Sequence, residues 1–224
     1  MKNIFPATFA DKSLAKKRVL VIVAHPDDET LWVGGTILGH DDWMVYVISI
    51  CRGDDRDRAL KFSAALKILG AEGAMGTMDD GVCQTPLREK ETQDTILSLL
   101  PSLEYDLVIT HNPSGEYTYH RRHVEVSSAV IKLWEKHKIK SKELWTFAYH
   151  DENRLFYPRA QESAPIKNRL KLNIYNMKYK IMNKIYGYPK QGWEMRTTLR
   201  TEAFWVFTDA KKALMWLNKG GISI

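Results

Sequence analysis

Apolar positions along this chain come as short unbroken runs separated by longer stretches of helical spacing. Val19 to Ala24 is one such run, Trp43 to Cys51 (W-M-V-Y-V-I-S-I-C) a second and Asp106 to Thr110 (D-L-V-I-T) a third. Runs of this length, rich in β-branched residues and without alternation, suit strands buried on both faces. Between them the spacing predicts helices over Asp28–His40, Asp55–Gly70 and Pro86–Leu100. Gly70 stands where a left-handed residue ends a helix, and Pro101 stops the third. The stretch 71–78 reads as a glycine-rich loop and Asp79-Asp80-Gly81 as a turn, while Val124–Trp134 reads as a further helix after the Pro113-Ser114-Gly115 loop. Strands alternating with helices imply βαβ units, hence an α/β fold: a Rossmann-like three-layer α/β/α sandwich with a mainly parallel sheet. The chain is read as a single domain over 1–224, preceded by an arm at 1–17 and carrying a basic amphipathic insertion at about 154–198.

Within that insertion, Ile166, Leu170, Ile174, Met177, Ile181 and Ile185 recur every three or four residues, which predicts one helix over Ile166–Tyr186. Leu172, Tyr175, Tyr179, Met182 and Tyr186 make a second stripe separated by lysines and asparagines. Two roles suit such a helix: packing on the body near the cleft, or reversible contact with an anionic membrane through Lys178, Lys180 and Lys184.

Composition narrows the class. Apolar residues make up 44% and charged ones 27% of the 224, ordinary for a globular protein. No apolar run approaches the roughly 18 residues that span a bilayer, and Pro6 interrupts an N-terminus already too polar for a secretory signal. Cys51 and Cys83 form no C-x-x-C or disulfide framework. The expected location is cytoplasmic, at most peripheral at the inner membrane face. The net charge of +6 is uneven: residues 1–18 hold five Lys/Arg against one Asp, residues 154–200 eleven against two Glu, and the remainder is acidic. Such clustering favours an anionic partner: a phospholipid surface, a phosphorylated substrate or nucleic acid.

The candidate chemistry lies at the exits of two strands, where parallel sheets form their clefts. The first run ends in A-H-P-D-D-E, so His25, Asp27, Asp28 and Glu29 arrive together around Pro26. An acidic helix start explains one or two carboxylates, but not a histidine three residues before one. His25 and Asp28 can converge on one divalent cation, which also relieves repulsion between Asp27 and Asp28. Two ligands do not complete a catalytic site, so a third, most simply a histidine, is expected. The third strand leads into H-N-P-S-G-E-Y-T-Y-H-R-R-H, where His120 and His123 stand three apart and can face one site. His111 sits at the strand exit, whereas His40, His137 and His150 lack any such setting.

A-H-P-D-D-E at 24–29 with H-x-x-H at 120–123 resembles the PIG-L, or LmbE-like, family of metal-dependent de-N-acetylases. The G-E-Y before the second motif, the R-x6-A-x3-L-G pattern (Arg58, Ala65, Leu69, Gly70) and T-E-A-F-W-V at 201–206 are similar too. The likeness covers about 19–150 and 200–207 and leaves 154–198 unaccounted for. It implies an LmbE-like fold, with His25, Asp28 and His123 as ligands of a divalent metal (zinc, or iron or another such ion). It further implies Asp27 as general base and His120 as the group that supports the oxyanion or acts as an acid. Where the family's commoner motif is H-P-D-H, this chain has Arg121-Arg122, so an acidic partner is replaced by arginine. Lys61 stands where many relatives carry a glutamate.

The chemistry needs these residue types whatever the family name. A His₂Asp zinc leaves room for a water and an amide carbonyl, a free carboxylate can move the water's proton to the leaving amine, and an imidazolium can meet the oxyanion. The implied substrate is an N-acetylated amino sugar conjugate of the N-acetylglucosamine type, including lipid-linked or phosphorylated ones. A dinucleotide-binding reading fails because the first turn lacks G-x-G-x-x-G and its carboxylates repel pyrophosphate. No nucleic-acid partner is expected, since the basic segment carries no recognised motif. Phosphoester cleavage would call for two metals and more bridging carboxylates.

Overall fold

A computed structural model describes residues 16–101 and 104–221. Most of the expected N-terminal arm, residues 1–15, lies outside the described residues. The first half alternates strands and helices: β1 (Lys17–Val23), α1 (Asp28–Leu38), β2 (Trp43–Cys51), α2 (Arg56–Leu69), β3 (Glu72–Met78), α3 (Glu89–Leu99), β4 (Tyr105–Thr110), α4 (Arg121–Glu135) and β5 (Ser141–Phe147). There follow a small hairpin of β6 (Tyr149–His150) and β7 (Arg159–Ala160), then β8 (Ile166–Arg169) and α5 (Leu172–Lys180). α5 runs on as a π-helical turn, Ile181–Ile185, before α6 (Trp193–Thr197), β9 (Thr201–Phe207) and α7 (Ala210–Asn218).

The main sheet has seven strands in the order β3-β2-β1-β4-β5-β9-β8. The first five are parallel, and β9 runs antiparallel to both β5 and β8. β1 lies at its centre, and Val19 through Ala24 expose no surface. Alternate residues of β1 serve two cores: Val19, Val21 and Val23 pack with α1, α2 and the π-turn, Leu20 and Ile22 with α3, α4 and α7. Each such side chain contributes roughly 1.5–3 kcal/mol through burial. This is the α/β/α sandwich read from the sequence. Strand order reverses direction between β1 and β4, so the loops after these two strands open a crevice at the sheet's carboxyl edge.

Two elements differ from the sequence reading. Residues 72–78, expected to be loop, form the edge strand β3. Glycine there is a packing requirement, because a Cβ at Gly73 would collide with the Val47 carbonyl of β2. Residues 166–169, expected to begin a helix, form β8, with Ile166 opposite Phe204 and Arg169 opposite Thr201. Helical spacing of Ile166 and Leu170 carried no information here, since both are inward positions on an edge strand and the residue after it.

The rest of the amphipathic stretch is helical and packs on α1 and α2 through Ile181, Met182 and Tyr186, which enter the core, while Leu172 and Met177 are exposed. Lys178 is not a surface residue. It is completely buried and its Nζ lies 2.7 Å from Glu202 Oε1. Glu202 also accepts from the amides of Gly35 and Thr36 at 2.8 and 2.6 Å, so one buried ion pair ties α5 and β9 to the middle of α1. Of the three lysines assigned to membrane contact, Lys178 therefore cannot serve, while Lys180 and Lys184 are exposed. No helix among the described residues is long and apolar enough to cross a membrane.

A candidate metal centre in the switch-point cleft

The H-P-D-D-E loop makes a tight turn from β1 into α1. Asp27 is the residue before the helix and has φ 134°, ψ −29°, a conformation that L residues rarely adopt. Asp28 and Glu29 occupy the first helical turn, where the dipole favours carboxylates. On the other side, His120 precedes α4 and His123 lies in its first turn. The two loops bring every residue singled out from the sequence into one cleft: His25, Asp27, Asp28, His120 and His123 all line it.

Asp28 is the hub. Its Oδ2 accepts from the His25 amide at 2.9 Å and lies 3.2 Å from His25 Nδ1 and 3.4 Å from His123 Nε2. Its Oδ1 accepts from the Trp32 indole at 3.0 Å, which fixes the carboxylate plane. Ligand atoms at the corners of a tetrahedron with bonds of about 2.0–2.1 Å sit about 3.3 Å apart, so these spacings suit one small cation. His123 Nε2 is also buried with no hydrogen-bond partner among the described residues. Burial opposes charge on His25, but hydrogen bonds donated by its ring to Asp28 and Asp80 outweigh it and raise its pKa; Asp28 and Glu116 do the same for His123 against burial and His111. An environment that favours a proton on these rings favours a cation in its place. Asp28 itself, despite burial, is held well below the usual carboxylate range, chiefly by His123.

Two histidine groupings overlap on His123. His25, His120 and His123 can bring three nitrogens within 4.8 Å of one another, and so can His111 and His123 with an oxygen of Asp28. The second grouping is not free to bind through Nε2 of His111, because that atom accepts the Ala24 amide at 3.0 Å. That bond also settles the tautomer. Burial opposes charge on His111 while Glu116 and Asp28 favour it, yet a ring already accepting at Nε2 is neutral and carries its proton on Nδ1. His111 stacks flat on His123, with centroids 3.9 Å apart.

Two carboxylates with no assigned part in the sequence reading stand behind the histidines. Glu116 is fully buried; its Oε2 lies 2.5 Å from His123 Nδ1 and 3.1 Å from His111 Nδ1, and its Oε1 accepts the Asn112 amide at 2.8 Å. Burial would raise Glu116, but His111 and His123 outweigh it and lower it to about 2. Asp80 Oδ1 lies 3.1 Å from His25 Nε2, and Arg52 donates to Asp80 Oδ2 at 2.7 Å. Each outer ring nitrogen thus faces a carboxylate, the arrangement that orients ligating imidazoles. Glu116 also answers the replacement of H-P-D-H by H-R-R-H, since the acidic partner comes from the G-E-Y instead. Arg122 is buried and clamps the 79–85 segment by donating to Asp79 O at 2.6 Å and Thr85 O at 2.8 Å, and is itself held within α4 by Glu125 at 2.6 Å.

The remaining two predicted residues differ in setting. Burial, then the Asp28 charge, push Asp27 up to about 7, partly offset by a hydrogen bond from Tyr188. Arg58 Nη1 stands 3.5 Å from the same oxygen, Oδ2. For His120, burial, then His123 and His25, lower the pKa to about 3, a direction that favours the neutral ring over the expected imidazolium. Glu29 is spoken for, accepting from Thr30 Oγ1 at 2.5 Å, Tyr186 Oη at 2.7 Å and the Asp27 amide at 2.9 Å. The cleft is walled by Trp32 and Tyr117 below and by Trp193 and Glu194 from the segment the sequence left unexplained. Trp193 meets Tyr117 edge to face with centroids 4.7 Å apart.

Comparison with known proteins adds the following. Among curated relatives, the 1D-myo-inositol 2-acetamido-2-deoxy-alpha-D-glucopyranoside deacetylase of Mycolicibacterium vanbaalenii is 26% identical, covering 54% of this chain and 57% of its own. The chain spans between half and about three-fifths of the length of the curated relatives it matches. Among solved structures, the 4-carboxy-2-hydroxymuconate hydratase GalB of Pseudomonas putida superposes with a TM-score of 0.56 at 18% identity, covering 81% of this chain and 83% of that one. A deacetylase of teicoplanin biosynthesis does so with 0.56 at 15%, covering 75% and 84%. These likenesses establish the shared fold. The family model described as PIG-L, GlcNAc-PI de-N-acetylase, matches residues 20–134, the half of the molecule that holds both histidine loops. The chain belongs to the PIG-L family.

Proposed function

We propose that this protein is a metal-dependent hydrolase that removes the N-acetyl group from an N-acetylglucosamine-type conjugate. The observation that carries this reading is the convergence of His25 Nδ1, at 3.2 Å, and the buried His123 Nε2, at 3.4 Å, on Asp28 Oδ2, with that His123 nitrogen lacking a hydrogen-bond partner among the described residues. These three would hold a divalent metal, zinc or iron, which when bound polarises a carbonyl and makes a water acidic. Family membership and the deacetylase named among the relatives support amide hydrolysis over other uses of the fold.

The chain's own residues divide the remaining work. Asp27 accepts a proton from the attacking water and delivers it to the amine nitrogen as the C–N bond breaks, giving acetate and a free amino sugar. A base whose pKa lies near 7 is matched to both transfers. His120, neutral, donates a hydrogen bond to the carbonyl oxygen as negative charge grows there, a weaker but permanent form of the stabilisation expected of an imidazolium. Glu116 and Asp80 keep the rings of His123 and His25 facing inward. Trp193 and Tyr117 narrow the entrance and offer aromatic faces to a sugar ring. In this reading the segment 154–198 belongs to the same domain as the sheet.

The test is acetate and free-amine detection on a panel of N-acetylglucosamine conjugates, lipid-linked and phosphorylated ones included, with purified protein of measured metal content. Release that disappears on chelation and returns with zinc or iron is the expected result. A metal-loaded protein that releases no acetate from any member would overturn the reading.

A further inference from the structure

We infer that Tyr188, from the segment outside the family match, is a positioning residue that fixes the carboxylate of Asp27. The Tyr188 hydroxyl contacts Asp27 Oδ2 and also lies 2.8 Å from Arg58 Nη1. Direction follows from the inventory of donors. A guanidinium can only donate, so the hydroxyl oxygen accepts from Arg58 and its single hydrogen points to Asp27. Arg58 lies over the Tyr188 ring as well, 5.7 Å from the centroid, which holds the phenol in place. The result is a three-residue chain, Arg58 to Tyr188 to Asp27, assembled from α2, the end of the α5 segment and the β1 turn.

Asp27 needs such a holder because its backbone does not supply one. At φ 134° it lies outside the regions that favour particular side-chain rotamers. Oδ2 is engaged by Tyr188 and approached by Arg58, while Oδ1 has no hydrogen-bond partner among the described residues. One oxygen is thus anchored and the other left for chemistry. The local geometry of the tyrosine is built for this reach. The π-turn Ile181–Ile185 and Gly187 at φ +83° turn the chain so that successive tyrosines meet successive acids, Tyr186 on Glu29 and Tyr188 on Asp27. Tyr186 is buried in the core and its partner Glu29 is saturated, which makes that pair structural and gives an internal control.

This role rests on the reading of Asp27 as the base, and its test separates the two. In metal-replete protein Tyr188→Phe should lower kcat about 10- to 100-fold with KM within about threefold and metal content unchanged. Tyr186→Phe should lower the melting temperature and leave kcat within about twofold. A second readout needs no activity: in metal-free protein, carbodiimide labelling of Asp27, followed by mass spectrometry, should be faster in Tyr188→Phe than in wild type and unaltered in Tyr186→Phe. Equal kcat losses in the two variants, or unchanged Asp27 labelling in folded Tyr188→Phe, would overturn the role of Tyr188. An inactive wild type instead strikes the proposed function and leaves the labelling result to decide the hydroxyl's part.

Discussion

The two walls of the cleft are built on different principles. The wall made by the loops after β1 and β4 holds its ionisable groups within 25–29 and 111–123, and they act through charge. The opposite wall, from α5 to α6, contributes tyrosine hydroxyls, the Trp193 indole and Glu194, is braced from behind by the fully buried Lys178–Glu202 pair, and acts chiefly through contact. The first kind of wall can be concentrated in a few adjacent residues, because a rigid parallel sheet delivers both loops to one point. The second cannot. It must come from a distant segment, since holding a charged loop requires approach from outside it. Reaction-bearing groups and the groups that hold them are therefore separable by mutation, and the predictions exploit that.

The largest expected effect belongs to the charged wall. Asp27→Asn should cost on the order of 10²–10⁴ in kcat with metal still bound, measured by steady-state kinetics beside elemental analysis. Near-normal turnover would mean another group moves the proton, and Glu29, with three donors already on it, could not be that group without rearrangement. Next comes the contact wall. Lys178→Met leaves Glu202 charged, buried and without its cation, which should cost roughly 3–5 kcal/mol in unfolding free energy. A loss below about 1 kcal/mol in denaturant titration would show that the two walls are not coupled through α1.

Smaller effects sharpen the boundary between holding and reacting. Glu116→Gln keeps the shape of the Asn112 and His123 contacts but removes the charge behind His123, so metal affinity should fall by about 10- to 100-fold in competition with a chelator. Glu116 also sets an acid limit for the metal-free protein. Its pKa is lowered from 4.5 to about 2, so the stability it contributes is fully present above about pH 4.5 and is lost as pH falls through about 2. Acid unfolding of metal-free Glu116→Gln should lack that component. Identical acid profiles would show that Glu116 is not ionised in the folded state.

How much of this was legible in the sequence follows the same division. β1, β2 and β4 announce themselves because a strand buried on both faces has no polar alternatives, and His25, Asp27, Asp28, His120 and His123 stand at their exits. β3 was hidden because its glycines, needed for close approach to Val47, erase the apolar run. With β3 missed, Asp80 read as a turn residue and not as a carboxylate at a strand exit. Glu116 was visible in the G-E-Y but its partner depends on a loop that folds back over seven residues onto His123. Tyr186 and Tyr188 carry no local signature at all, since only the π-turn and Gly187 aim them. The protonation of His120 is not legible in the sequence, because it is set by burial and by neighbours from both loops, not by its own spacing.

One feature of the turn after β1 bears on how this protein would respond to selection. Asp27 holds a backbone conformation that costs a residue with a Cβ about 1–3 kcal/mol, and glycine escapes that cost. Asp27→Gly should accordingly raise the melting temperature while abolishing turnover, and it also removes a carboxylate crowded against Asp28. Stability and activity pull in opposite directions at a single codon. A library of variants screened only for heat tolerance would drift toward glycine at this position and yield a tougher, inert protein, whereas a screen that scores both properties would hold the aspartate and gather its gains elsewhere in the fold.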